Sequence, residues 1–317
     1  MNWGRFLILR LGAGALALAA VSALVFAATD VLPGDAAGVL GGADATDAER
    51  AALRAELGLD RPAHVRYLDW AGSLLRGDLG TALVGGRPVS DLLADRLPHS
   101  ALIAGLSLAV VAPLSIACGL AAGLRQGRAR DRVISGATLL GVALPEFVVA
   151  SLLITVFATW LGLLPRVSLI PIGGGPLDTP EILVLPVLST VAVGLAGATR
   201  LIRASAAEVA ASPFVEAARL RGVTGVRLAV RHVLPNAIGP AVQSLALVTA
   251  ALTGGAVVIE TIFNYPGLGY ELQRAVANRD IPVVQGLTVV LAGIALLVLL
   301  TADIVTRLAD PRQGRHG

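Results

Sequence analysis

Residues 208–235 read EVAASPFVEAARLRGVTGVRLAVRHVLP, and their polarity decides how the rest of the chain divides. Glu208, Glu216, Arg219, Arg221, Arg227 and Arg231 put six charges into a stretch bordered on each side by a long apolar run. A helix needs about 20 mostly apolar residues to cross a hydrocarbon core about 30 Å thick. Reading outward with that ruler gives six spans, at 6–29, 99–124, 133–163, 182–202, 236–260 and 283–308. Hydrophobic residues are 55 % of the 317 and charged ones 15 %, against about a quarter charged in a soluble domain. The expected fold is an all-α polytopic membrane protein with six transmembrane helices, one membrane domain over residues 1–317.

All 25 basic residues are Arg, and their placement orients the spans. The two chain ends and the 125–132 and 200–231 connections carry 15 Arg against five acids, a balance of +10. The 30–97 loop carries seven Arg against eleven acids, a balance of −4. The excess of Arg marks the cytoplasmic side, which places both termini inside the cell membrane. The basic balance therefore reflects topology; the aromatics are too few and scattered for nucleic-acid stacking. Cys118, the one cysteine, excludes an internal disulfide and a Cys-based zinc site. The first run exceeds a usual signal-peptide core of roughly 7–15 residues, so it is expected to be retained as a span.

Local signals predict further helices outside the spans. In 208–235, Ser212 before Pro213 is a helix start, with Ser as N-cap and Pro at the first helical position. Gly222 ends that helix by accepting a left-handed backbone, and a second helix over 224–233 stops before Pro235. The pair forms a knob kept slim by Ala217 and Ala218, with Glu216 placed to meet a basic group. In the 30–97 loop, Thr46 and Glu49 form a capping box, Leu53 and Leu57 share a face, and Gly58 supplies a stop. Tyr67, Leu68, Trp70, Leu74 and Leu75 predict a second short amphipathic helix at the outer membrane boundary. Gly77-Asp78-Leu79-Gly80 and Gly85-Gly86-Arg87-Pro88 read as turns. The loop is either a lid on the outer mouth or a contact for an external protein. Pro145 predicts a kink in the third span.

The spacing Glu216-Ala217-Ala218, three residues, Gly222, then Leu234-Pro235 resembles the cytoplasmic coupling loop of ABC-transporter permeases, with His232 where that pattern has Ile. Further segments narrow the resemblance to the dipeptide/oligopeptide/nickel importer branch, in particular the partner with the long first outer loop. They are Leu32-Pro33-Gly34-Asp35, Gly58-Leu59-Asp60-Arg61-Pro62, Gly77-Asp78-Leu79-Gly80, Arg87-Pro88-Val89, Arg96-Leu97-Pro98, Glu260-Thr261-Ile262-Phe263, Pro266-Gly267-Leu268-Gly269, Asp280, Pro282-Val283-Val284-Gln285-Gly286, Asp303 and Asp310-Pro311-Arg312.

The resemblance implies a type I importer permease fold. It also implies a homologous second permease subunit, two ABC ATPase subunits, an extracytoplasmic solute-binding protein and no nucleic acid as partner. It makes 204–235 the coupling loop, with Glu216, Ala217, Ala218, Arg221, Gly222, Leu234 and Pro235 meeting the ATPase. No catalytic residue, metal site or cofactor is expected on this chain; ATP and Mg belong to the ATPase subunits. The absence of Lys agrees, because a standard P-loop needs a Lys to reach the phosphates. The cargo, a peptide, a nickel complex or another small solute, is left open.

Three positions depart from the family pattern: Ala36, His232 and Glu146. A straight helix would put Glu146 roughly 20 Å along the third span, where an ionisable group needs a partner or a wet cavity. It either lines the translocation path and favours cationic cargo or makes a structural hydrogen bond. Glu260, at the outer end of the fifth span, is the other path candidate, or else a packing corner. An ion-gradient-driven secondary transporter is the alternative reading; it would need paired intramembrane charges on broken helices. An intramembrane hydrolase would need a nucleophile motif that is missing.

Overall fold

A computed structural model describes residues 3–31, 46–56, 60–171 and 173–309. Among them the chain is helical, with no strand beyond an isolated bridge between Thr81 and Pro88. Leu57, Gly58 and the motifs at 32–36 and 310–312 lie outside the described residues. The chain forms two compact units, Met1–Ser100 with Pro266–Leu296, and Ala101–Tyr265 with Leu297–Gly317.

In the first unit, α1 (Trp3–Val31) is the first span. The predicted capping box opens α2 (Asp47–Glu56): the Thr46 N–H donates to the Glu49 carboxylate at 2.8 Å, and the Glu49 N–H to the Thr46 hydroxyl at 3.3 Å. The second loop helix is α3 (Ala63–Leu75). It meets α1 by its aromatic side, where Tyr67 and Trp70 surround Phe26. The Tyr67 hydroxyl lies 3.0 Å from Ser22 Oγ, and Arg66 pairs with Asp30. Leu68 and Leu75 point outward. The glycine turns follow as expected, with positive φ at Gly77, Gly80, Gly85 and Gly86.

The core of this unit gathers the start of α4 (Val89–Gly123), a short helix α11 (Leu268–Ala277) and the start of α12 (Ile281–Ala309) around Val89, Leu92, Leu268, Val283 and Leu287. Gly286 is required there, since a Cβ would lie 3.0 Å from Val89 and 3.4 Å from the Leu79 carbonyl. Buried Asp280 accepts the Val84 N–H at 2.9 Å, and Gln285 donates to Thr29 at 2.7 Å.

The second unit is built around α7 (Glu181–Ala210), the most buried of the membrane-length helices. Against it pack α4, α5 (Ala129–Ala143), α6 (Glu146–Leu153) and α10 (Leu234–Ile262). Small residues allow close approach: a Cβ at Gly119 or Gly123 would come within 2.9 Å of α7, and one at Gly141 would lie 2.7 Å from Ala196. The connection after α6 is tied down, because the Ser168 N–H donates to the Phe263 carbonyl and its hydroxyl to the Ile182 carbonyl, both at 2.6 Å.

Among the described residues, five helices are long and apolar enough to cross a membrane, or six if the pair broken at Leu144-Pro145 is one crossing. The kink predicted at Pro145 is present, as a full break between two helices. These are α5 and α6, the latter widening into a π-helical turn at Ile154–Trp160, and the two arms bend by 101° at Leu144-Pro145. A proline lacks the N–H for the helical ladder and forces the preceding residue toward extended backbone. Leu144 takes that geometry, at φ −84° and ψ 125°. The depth of Glu146 therefore does not follow from a straight rise.

Candidate functional site

The predicted knob is present. Pro213–Leu220 forms α8, with Ser212 at the N-cap position, Pro at its start and Glu216 in its first turn, where a carboxylate suits the helix dipole. Its end has Schellman geometry: Gly222 sits at φ +82°, its N–H donates to the Arg219 carbonyl at 2.9 Å, and the Val223 N–H reaches back to the Ala218 carbonyl at 3.1 Å. Only a residue without Cβ takes that φ without strain. Arg221 closes the last turn, Nε donating to the Ala217 carbonyl at 3.2 Å.

One face of α8 is buried and the other open. Val215 and Ala218 are buried with Leu120, Ala206, Leu228 and Val233, a small apolar core beneath the knob. Phe214 and Leu220 stand out, the latter 84 % exposed, beside exposed Glu216, Ala217 and Arg221. No acid or base among the described residues lies within ion-pair distance of Glu216. A helix face carrying exposed apolar side chains and an unpaired carboxylate has the makings of a docking surface.

Three local expectations need correction. The Ser212 hydroxyl donates backward to the Val209 carbonyl at 2.5 Å and makes no cap bond to α8; the carbonyls at the end of α7 compete for it. Ala218 packs inward, so Ala217 alone of the pair thins the outer face. The second helix does not stop before Pro235. Gly225–Leu228 forms α9, a π-helical turn follows at Ala229–Val233, and α10 begins at Leu234 with Pro235 in its first turn. The widened turn takes the chain through the proline without a break. His232 lies in this turn, its carbonyl accepting from Asn236 at 2.8 Å.

Sequence reasoning counted Asp131 only as a charge; the structure makes it a fastening. Asp131 is 3 % exposed at the start of α5 and takes both Arg203 Nε and Nη2, the second at 2.9 Å. It also accepts the Gly127 N–H at 2.8 Å and the Ser135 hydroxyl at 3.1 Å. The α4–α5 turn is thereby bolted to α7 just before the knob. The available signal was a lone acid in an Arg-rich connection, facing an Arg within an apolar run.

The two path candidates differ. Glu146 opens α6 beside the break and keeps part of its surface. Glu260 is 1 % exposed in the last turn of α10, where its carbonyl accepts the N–H of buried Tyr265 at 2.8 Å. Burial and the Glu260 carboxylate push the Tyr265 phenol above its ordinary pKa. That is a packed corner.

Residues 115–315 match the family described as binding-protein-dependent transport system inner membrane component, and residues 3–104 match the corresponding N-terminal family. Over 309 residues the chain is 31 % identical to "Probable peptide ABC transporter permease protein y4tP" of Sinorhizobium fredii (strain NBRC 101917 / NGR234), covering 98 % of this chain and 99 % of that one. Over 291 residues it is 32 % identical to "Glutathione transport system permease protein GsiC" of Salmonella choleraesuis (strain SC-B67), covering 92 % of each.

Proposed function

Because this chain belongs to the binding-protein-dependent transport system inner membrane components, as a permease subunit of an ABC importer, we propose that its 208–235 elbow is where a separate ATPase drives transport. The chain is a multi-pass membrane protein and a transport subunit, with no enzyme activity implied by the family, and it works with ATPase and binding-protein subunits. The finer assembly is two permease chains, this one and a homologue, over two ATPases that hold ATP and Mg. Both termini and the elbow face the cytoplasm, as the Arg distribution requires. The cargo is a di- or oligopeptide or a related small solute, a reading supported by the peptide and glutathione transport named for the two relatives.

The observation that carries the coupling role is the division of α8 into a face anchored on the bundle and a bare face with Phe214, Glu216 and Leu220. Closure of the ATPase pair pushes the bare face; the buried face and the Gly222 corner pass the displacement to α7 and α10. Glu216 pairs with a basic group of the ATPase, and Leu234-Pro235 transmits the movement into α10. Glu216→Lys replaces that pair with like-charge repulsion and Gly222→Pro destroys the corner. Each is expected to lower uptake in membrane vesicles about tenfold or more, with membrane insertion unchanged. Normal uptake by both variants would remove the coupling role.

Glu146, at the broken span, lines the path and favours cationic cargo. Glu146→Gln then reduces uptake of a cationic peptide more than that of a neutral one. An equal reduction of both would leave it a structural residue.

A further inference from the structure

A cleft of ≈ 950 Å³ opens beside the elbow, between the end of α4 with its following turn and the second helix of the elbow. Arg125, Arg128, Arg130 and Arg219 line it, all four exposed. No acid among the described residues pairs with any of them. The nearest carboxylate in sequence, Asp131, already has both oxygens engaged by Arg203, Gly127 and Ser135. Four like charges around one cavity repel each other until an anion joins them.

One wall of the cleft is apolar and comes from the ends of long helices, with Leu120 in α4, Leu124 just past its end, and Ala207 and Ala210 at the end of α7; Gln126 and Thr224 add polar side chains elsewhere. The hydrophobic run of α4 ends at this point, so the arginines stand at headgroup level. A free phosphate would need the arginines alone. An amphiphile uses both surfaces, and basic pockets at the cytoplasmic ends of membrane helices are suited to acidic lipid headgroups.

We propose that this cleft binds the phosphate of an anionic phospholipid from the inner leaflet, with an acyl chain lying along Leu120 and Leu124. The lipid bridges the α4–α5 turn to Arg219 on α8, so it stiffens the elbow. The inference rests on the inward orientation proposed above.

The test uses the assembled importer in nanodiscs of phosphatidylcholine with and without phosphatidylglycerol, reading retained lipid by native mass spectrometry. Arg128→Gln with Arg219→Gln is expected to weaken retention of phosphatidylglycerol about fivefold per arginine, about 25-fold together. Arg227→Gln, an equal charge loss outside the cleft, leaves retention unchanged. Equal retention by the double variant and the wild type overturns the site. Displacement of the lipid by excess inorganic phosphate overturns the lipid in favour of a free-anion pocket. Unchanged lipid with lost ATPase association overturns it in favour of a protein-docking surface. Arg128→Cys in a Cys118→Ser background is expected to resist an impermeant maleimide added outside cells. Labelling from outside overturns the orientation, and with it the inner-leaflet assignment. Protection from label with no retained lipid overturns the site alone.

Discussion

Leu144-Pro145 and Leu234-Pro235 are the same dipeptide set in helical sequence, and they end differently. At the first, Leu144 swings to extended backbone and the two arms diverge by 101°. At the second, Leu234 stays helical at φ −55° and ψ −45°, and the chain runs on through a π-helical turn. The proline is identical, so the neighbourhood decides. Leu144 is 41 % exposed and nothing opposes the local preference against helix before proline. Leu234 packs against the core beneath the elbow, and its neighbour Val233 is fully buried there. Breaking the helix at Leu234 would pull both out of that core, so the strain is spread into one wide turn. The comparison separates a broken helix at Leu144-Pro145 from a continuous one at Leu234-Pro235.

The largest expected effect tests what holds the arm leading to the break. Asp131→Ala leaves Arg203 without its carboxylate and should cost about 3 kcal/mol, seen as a lower thermal unfolding midpoint in detergent. If Asp131→Ala combined with Arg203→Met restores stability, the pair is a fastener whose chemistry is replaceable. No loss in the single variant would show that helix packing alone holds α5.

Val233→Ala tests the claim that packing keeps Leu234 helical. A loss of about 2 kcal/mol is expected, together with a new bend at Leu234 visible as a changed spin-label distance between α9 and α10. The same loss with unchanged distance would mean that packing stabilises the continuous helix without shaping it.

Pro145→Ala is the converse experiment. Labels at 133 and 152, both on exposed side chains, should move apart toward about 28 Å, the length of a straight helix of that many residues. A bend that survives the substitution would transfer the cause from proline to the contacts of α6 with α7 and α10.

The smallest effect lies away from both prolines, at a helix start made by local bonds alone. The Thr46 backbone N–H, and then its hydroxyl, hold the Glu49 carboxyl below the usual carboxylate range. A lowered folded pKa means the cap contributes fully above the ordinary carboxylate pKa and is lost as pH falls through the folded value. Amide exchange in the first turn of α2 should therefore accelerate in acid beyond its intrinsic change, and Glu49→Gln should flatten that dependence. A pH profile identical in the variant would assign the cap to Thr46 alone.

The capping box, the Gly222 corner and the glycine turns near 77–86 were legible because each depends on residues within about five positions of one another. A left-handed glycine or a Thr–Glu pair carries its geometry wherever it is placed. The inward turn of Ala218 and the backward bond of Ser212 were not legible, because each depends on which neighbouring element competes for the same atom or face. The same holds for the Asp131–Arg203 fastening, whose partners stand 72 positions apart.

By itself, the sequence determined the membrane class, the segments apolar enough to cross, the segments in which arginine gathers and the first short helix of the elbow with its Gly222 corner. Those follow from transfer free energies and local backbone preferences, which need no knowledge of the fold. Tertiary structure alone decided which proline breaks its helix and which is carried through, and which face of α8 is left bare. It did so because burial of a few side chains, Val215, Ala218, Val233 and Leu234 among them, outweighs or yields to local preference according to what packs against them.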